Sequence, residues 1–248
     1  MRLIINADDC GLSKKVDAAI EEAIVKKKIT STTIMANMED LNGAIAIYKR
    51  YNDIASFGCH LNLTEGSPML KNQLLLDKGY YVEKDGHLIL NGKKYWNKFL
   101  SAEMREGIIK ELQAQVECLL DNGVKISHLD SHHHIHTNYF MMGVIASLAK
   151  NYGIKRIRRV RNYMPVSVGF LARQTWATGM KLLNTNLKMT DYFCVYSEFD
   201  ANPHIKGEES LIEIECHPGG KDVDEERLLM QKDLGSGYQL ITYNDIEV

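Results

Sequence analysis

Cysteine is scarce and scattered in this chain of 248 residues: Cys10, Cys59, Cys118, Cys194 and Cys216 stand apart, and no Cys-x-x-Cys occurs. A Cys-rich zinc site is thereby excluded, and five thiols spread over this length make no disulfide framework. Free thiols in a reducing compartment are expected. Proline occurs only four times and marks no interdomain linker. No run of about 18 apolar residues suggests a membrane span, and no signal-peptide pattern opens the chain. Charge of one sign is lacking as well. Thirty Lys and Arg stand against 32 Asp and Glu, for a net charge of −2. Such a chain has no global field to draw nucleic acid or an anionic membrane. The expectation is a cytoplasmic protein with neither as partner.

What is present is ordinary globular material. Hydrophobic residues make up 45% and charged residues 25%, which excludes disorder, collagen and coiled coil. A chain of this size buries roughly 70–75% of its unfolded surface and needs no staple to hold a core. One domain over 1–248 is expected, because α/β barrels routinely reach this length.

Residues 3–7 form a short apolar run that stops at Asp8-Asp9, and read as a buried strand. Ser13 is placed to cap a helix running to Lys27. Residues 29–37 are rich in β-branched side chains, 41–50 have helical spacing, and 55–63 read as a third strand. This βαβαβ order implies a parallel sheet with helices outside it. Two short β runs, 80–82 and 87–90, then flank Lys84-Asp85-Gly86, a hairpin signal that reads as an insertion after the third strand. Residues 101–120 are an amphipathic helix, with Ile108, Leu112 and Val116 at a spacing of four. Further strands are expected at 126–131, 155–160, 192–196, 211–216 and 238–243. Helices are expected at 139–150 and 224–233, and within the mixed stretch 163–190. Strands alternating with helices in this way predict an α/β fold, a (β/α) barrel, either complete or distorted and incomplete. A doubly wound open sheet is the alternative. Both place function at the carboxyl ends of the strands.

The polar clusters fall at those ends. Asp8-Asp9 closes the first strand, and His60-Leu61-Asn62 lies near the end of the third. The run from His128 to His136 holds five of the nine histidines, and Glu215-Cys216-His217-Pro218-Gly219 ends a late strand. Each cluster alone has a plainer account: a solvated turn, a core histidine, a surface tract, a strand exit. Together they form a metal site of imidazole and carboxylate, compatible with Zn, Fe, Mn, Co or Mg. Two imidazoles and one carboxylate leave positions open for water and substrate. On an extended strand His128, Asp130 and His132 share a face, so Asp130 is placed to orient a ligating imidazole. Adjacent Asp8 and Asp9 point apart, which lets one bind metal while the other holds a water. That division suits metal-assisted hydrolysis. One rival is an iron oxygenase, with His128, Asp130 and His217 as a facial triad.

The segments Asn6-Ala7-Asp8-Asp9-Cys10-Gly11-Leu12-Ser13, Thr30-Ser31-Thr32-Thr33, His60-Leu61-Asn62-Leu63-Thr64, His128-Leu129-Asp130-Ser131-His132-His133-His134-Ile135-His136 and Glu215-Cys216-His217-Pro218-Gly219 span most of the chain. In that order they resemble the YdjC-like carbohydrate deacetylases, which include the chitooligosaccharide deacetylases. Cys10 departs from the pattern, since the family usually has an aromatic residue there. The resemblance implies a (β/α)-barrel deacetylase with a divalent metal, Mg or Zn, acting on an N-acetylated sugar, and it suggests a homodimer. Carried over by motif position, Asp9, His60 and His132 resemble the metal ligands and Asp8 the general base. His217 is similar to a histidine that protonates the leaving amine. Arg158 resembles an arginine that steers the base or the substrate. His134 and His136 are further candidates for the ligand set or its surroundings.

Three features stand outside this scheme. The basic stretch 155–161 is either a strand with solvated basic edges or a receiver for an anionic group such as a sugar phosphate. Tyr80, Tyr81, Tyr95 and Trp96, in or beside the hairpin, either pack it or stack on sugar rings. A non-catalytic sugar- or metal-binding protein is the rival from another class. Retention of both Asp8 and the full ligand set argues against it.

Overall fold

The structure is a computed structural model. It describes residues 1–85, 87–91, 101–164, 170–203, 207–220, 229, 231–232 and 237–248, without the side chains of 170–174. Gly86, Tyr95, Trp96 and most of the helix expected at 224–233 lie outside the described residues.

The elements run β1 (Arg2–Cys10), α1 (Lys14–Val25), β2 (Ser31–Ile34), α2 (Leu41–Tyr51), β3 (Ser56–Leu61), α3 (Gln73–Asp77), β4 (Tyr81–Lys84), β5 (His87–Leu90), α4 (Ala102–Asp121), β6 (Leu129–Ser131), α5 (Met142–Asn151), α6 (Phe170–Leu183), β7 (Tyr192–Val195), α7 (Tyr196–Ala201), β8 (Leu211–Cys216) and β9 (Gln239–Leu240). The expected helix starts appear. The Ser13 hydroxyl accepts from Val16 N–H at 3.4 Å and that of Ser101 from Met104 N–H at 3.2 Å. On α4, Ile108, Leu112, Val116 and Leu119 are all buried, each stabilising the fold by roughly 1.5–3 kcal/mol. Helices α3 and α7 were not foreseen; α3 has only five residues, too few to show a helical period.

The main sheet is curled and parallel, in the order β6-β3-β2-β1-β8-β7, with β9 pairing the first residues of β1. Neighbours follow chain order around the sheet, without the reversal that a doubly wound sheet shows. The strand expected at 155–160 reduces to two isolated parallel bridges, Leu129–Ile157 and Arg156–Lys188, beyond β6. Strands β4 and β5 pair antiparallel in a sheet of their own. From Leu3 to Cys10 every residue of β1 is buried, as a central parallel strand covered on both faces should be. No described helix is long and apolar enough to cross a membrane.

The polar ends of β1, β3, β6 and β8 meet at one end of this sheet. At the other, a short turn, Tyr243–Asp245, closes the base. Tyr243 packs there with Ile4, Leu211, Ile241 and Ile246.

Candidate metal centre and its cavity

The site begins with an irregularity at the end of β1. Its register with β2 slips between Ala7 and Cys10, and Asp9 adopts a left-handed backbone, φ 70°. A bulge of this kind re-aims side chains. Asp8 consequently turns to Arg158 while Asp9 faces a cavity of about 410 Å³.

Three expected ligands converge there. Asp9 Oδ1 lies 2.8 Å from His132 Nδ1 and 3.3 Å from His60 Nε2. One donor atom from each residue fits within a 4.8 Å cluster. Asp9 Oδ1 is buried between two ring nitrogens yet has no aligned hydrogen bond. Two imidazoles and a carboxylate whose donor atoms converge in this way are what a cation requires, so this set fits a divalent ion of the Zn, Co, Mn or Mg kind, with positions left open. Burial alone would raise the Asp9 pKa, but the imidazoles of His132 and His60 that face it outweigh burial and hold the carboxyl well below its ordinary range.

His60 is held from behind. Parallel register sets it beside Asp130, and Asp130 Oδ1 accepts from His60 Nδ1 at 2.7 Å. The Thr33 hydroxyl donates to Asp130 Oδ2 at 3.1 Å. This fixes the tautomer that leaves Nε2 free for a cation. Without one, burial favours neutral His60, yet Asp130 and Asp8 outweigh it and push its pKa up to about 10.

Asp8 is gripped by Arg158. Nη1 and Nη2 donate to Oδ2 and Oδ1, each at 2.6 Å, and Asn6 Nδ2 donates to Oδ1 at 2.8 Å. Burial would raise the Asp8 pKa; the Arg158 charge and hydrogen bonds, with His60 and His217, bring it well below the carboxylate range. Arg158 itself has no exposed surface. Its remaining donors reach Asp130 at 2.9 Å and Glu213 at 2.7 Å, and Phe193 covers its face. Of the two roles expected of it, the geometry bears on one: its fork holds Asp8, the residue expected to be the base. Two more residues of the basic stretch are engaged. Arg156 donates to the Ile246 carbonyl, and Arg161 pairs with Glu198.

His217 lines the same cavity, and its Nε2 lies 3.2 Å from Glu215 Oε1. His134 approaches the other oxygen of Glu215 at 3.5 Å. His136 is elsewhere. It is buried, with Nδ1 2.5 Å from Ser131 Oγ and its ring edge-on to Trp176, and burial drives its pKa well down. His128 is buried too, stacked on Tyr243 at 3.5 Å. Among the described residues no metal-compatible group contains His128, so the oxygenase triad is not assembled. Tyr80 and Tyr81 are buried, in keeping with local packing.

Sequence reasoning missed Glu65, Glu213 and Tyr243. Glu65 lies on the cavity rim, 3.6 Å from His132 Nε2; nothing in its local pattern marks it. Glu213 was legible in principle, since it alternates with Glu215 on one strand and both are buried.

The parallel α/β sheet thus carries a carboxylate–imidazole cluster with the geometry to hold a metal, and a buried Asp–Arg pair beside it. The chain belongs to the YdjC-like protein family, whose model matches residues 2–244. It is 33% identical over 224 residues to a carbohydrate deacetylase of Clostridium beijerinckii, covering 90% of this chain and 83% of that protein. It is 32% identical over 229 residues to one of Halalkalibacterium halodurans, covering 88% and 85%. A crystal structure of an Enterococcus faecalis V583 protein named for cellobiose-phosphate cleavage shares the fold, with a TM-score of 0.74, 22% identity, and 100% and 99% of the two chains covered.

Proposed function

We propose that the protein is a metal-dependent carbohydrate deacetylase that releases acetate from an N-acetylated sugar or oligosaccharide. The observation that carries this reading is the convergence of Asp9, His60 and His132 beside the Arg158-held Asp8, in one cavity with His217. The family and the names of the relatives agree with it. Asp9, His60 and His132 would hold the divalent ion, Mg or Zn. A bound cation there supplies Lewis acidity, which acidifies a water and polarises a carbonyl. Asp8 accepts the proton of the attacking water. Arg158 sets the direction of its carboxylate and holds it ionised at neutral pH. His217, 3.2 Å from the Glu215 carboxylate, would deliver a proton to the nitrogen as the C–N bond breaks. An amine leaves well only when protonated, so the two groups divide base and acid work. We also infer a single domain over 1–248. The Leu129–Ile157 and Arg156–Lys188 bridges would continue the curled sheet towards a distorted barrel, with β4 and β5 as an insertion on it.

The test is acetate release from N-acetylated oligosaccharides and their phosphorylated analogues, using metal-stripped protein resupplied with Mg, Mn, Co or Zn. Metal-dependent acetate is expected from at least one unphosphorylated member. Sugar binding without acetate under every metal would refute the enzyme and favour a binding protein.

A further inference from the structure

We propose that Tyr243 and Glu213 are positioning residues for Asp8, acting through Arg158 across the interior of the sheet; this rests on the deacetylase reading, in which Asp8 is the base. Four buried side chains form one line. The Tyr243 hydroxyl hydrogen-bonds Glu213 Oε2. Glu213 Oε1 accepts from Arg158 Nε at 2.7 Å, and Arg158 Nη1 and Nη2 donate to the two oxygens of Asp8 at 2.6 Å. Tyr243, Glu213 and Arg158 are 0% exposed and Asp8 2%, so water cannot replace a missing link.

The far end of the line is fixed independently of the site. Tyr243 N–H donates to Ser56 Oγ at 3.1 Å, and the ring lies on His128, 3.5 Å away and 9° from parallel. The turn it opens is closed by a reciprocal Thr242–Asp245 cap. Arg156 Nε and Nη2 then hold the Ile246 carbonyl at 3.0 and 2.7 Å. The C-terminal turn is thus a rigid peg.

A peg is needed because Arg158 has competing partners. Asp130 lies 2.9 Å and Glu215 3.8 Å from Nη1. A guanidinium among four carboxylates has several ways to point. Anchoring Nε on Glu213 leaves the opposite edge, the Nη1–Nη2 fork, for Asp8, and a fork of this kind holds a carboxylate in one plane. Glu213 keeps its own orientation because Tyr243 occupies its second oxygen. A hydrogen-bonded chain in a dry interior also strengthens each of its members.

The experiment compares Tyr243→Phe, Glu213→Gln and the double variant. Tyr243→Phe retains the ring on His128 and removes only the hydroxyl. Two readouts are taken: steady-state acetate release, and the rotation rate of the Arg158 Nη groups by 15N NMR, with Arg158→Lys used to assign the signals. For Tyr243→Phe, kcat should fall about tenfold with KM and metal affinity unchanged, as expected for a misaimed base. Rotation about the Arg158 Cζ–Nη bonds should quicken. The double variant should be no slower than Glu213→Gln alone, because both act on one line. Multiplicative losses would overturn the proposal. So would wild-type Nη rotation in Tyr243→Phe, even with a lowered Tm, since that leaves the hydroxyl a purely structural role. If Tyr243→Phe does not fold, Glu213→Gln alone must show the kcat loss and the faster rotation. A wild-type protein that releases no acetate refutes the deacetylase reading separately; the NMR readout then still decides whether Tyr243 governs the Arg158–Asp8 grip.

Discussion

Replacing Asp130 by Asn should weaken metal binding without dismantling the fold. Asp130 is fully buried and touches three groups: His60 Nδ1 at 2.7 Å, Arg158 Nη1 at 2.9 Å and Thr33 Oγ1 at 3.1 Å. As a carboxylate it only accepts, so it keeps the His60 proton on Nδ1 and the Nε2 lone pair towards Asp9. An Asn amide that turns its NH2 towards Nδ1 reverses this, placing the proton on the very atom that would bind metal. Losing such an orienting carboxylate typically lowers metal affinity 10–100-fold, or roughly 1.4–2.7 kcal/mol. Stability should suffer less than the roughly 3–5 kcal/mol of a buried charge left alone, because Arg158 retains Asp8 and Glu213. Calorimetric titration of Zn or Co into metal-free protein reads the first quantity, and thermal melting the second. Wild-type affinity in Asp130→Asn would refute the assignment of His60 Nε2 as a ligand held by Asp130.

Three further outcomes are expected. Asp8→Asn should lose roughly 10²–10⁴-fold in turnover, the usual worth of a positioned base, while metal titration stays near wild type; equal metal loss would move Asp8 into the ligand set. In metal-free protein, stability should fall as pH rises from about 5 to 10, because two buried groups bind protons more tightly folded than unfolded. Burial takes Glu213 from 4.5 to about 7, partly offset by Arg158, and Asp130 and Asp8 overcome burial to take His60 from 6.5 to about 10. Each stabilises fully below its unfolded pKa and loses that contribution as pH rises through its folded one, roughly 3 kcal/mol for Glu213. Asp8 and Asp9, held low, act oppositely, with stability lost only as pH drops below about 4. A flat melting temperature from pH 5 to 10 would contradict this. Gly58→Ala should destabilise by about 1–3 kcal/mol in denaturant unfolding, since its methyl would sit 2.5 Å from His128 Cε1 and 2.7 Å from Thr33 Cγ2; an unaltered midpoint would show that His128 has room to move.

Much of this protein was determined by the sequence alone, wherever the cause is local. The Ser13 cap, the four-residue spacing on α4 and the apolar run into Asp8-Asp9 act within one or two turns of chain, so their patterns survive in one dimension. The placing of Asp8-Asp9, His60, the histidine tract and His217 at strand ends was legible for the same reason: a strand's direction carries its polar end to a known side of a parallel sheet. Tertiary structure alone decided which of these side chains touch. His60 meets Asp130 across 70 residues because β3 and β6 are paired in one register, and a register is set by the packing of whole layers. The left-handed turn at Asp9 separates two adjacent aspartates that the sequence could only call neighbours. Arg158 sits in a stretch that looks like a solvated basic edge, yet the chain there is carried inward, and only a ring of carboxylates from β1, β6 and β8 makes a buried guanidinium tolerable. Tyr243 reaches that ring from the opposite end of the chain. No periodicity reports such a contact, because its energy comes from what surrounds it in space.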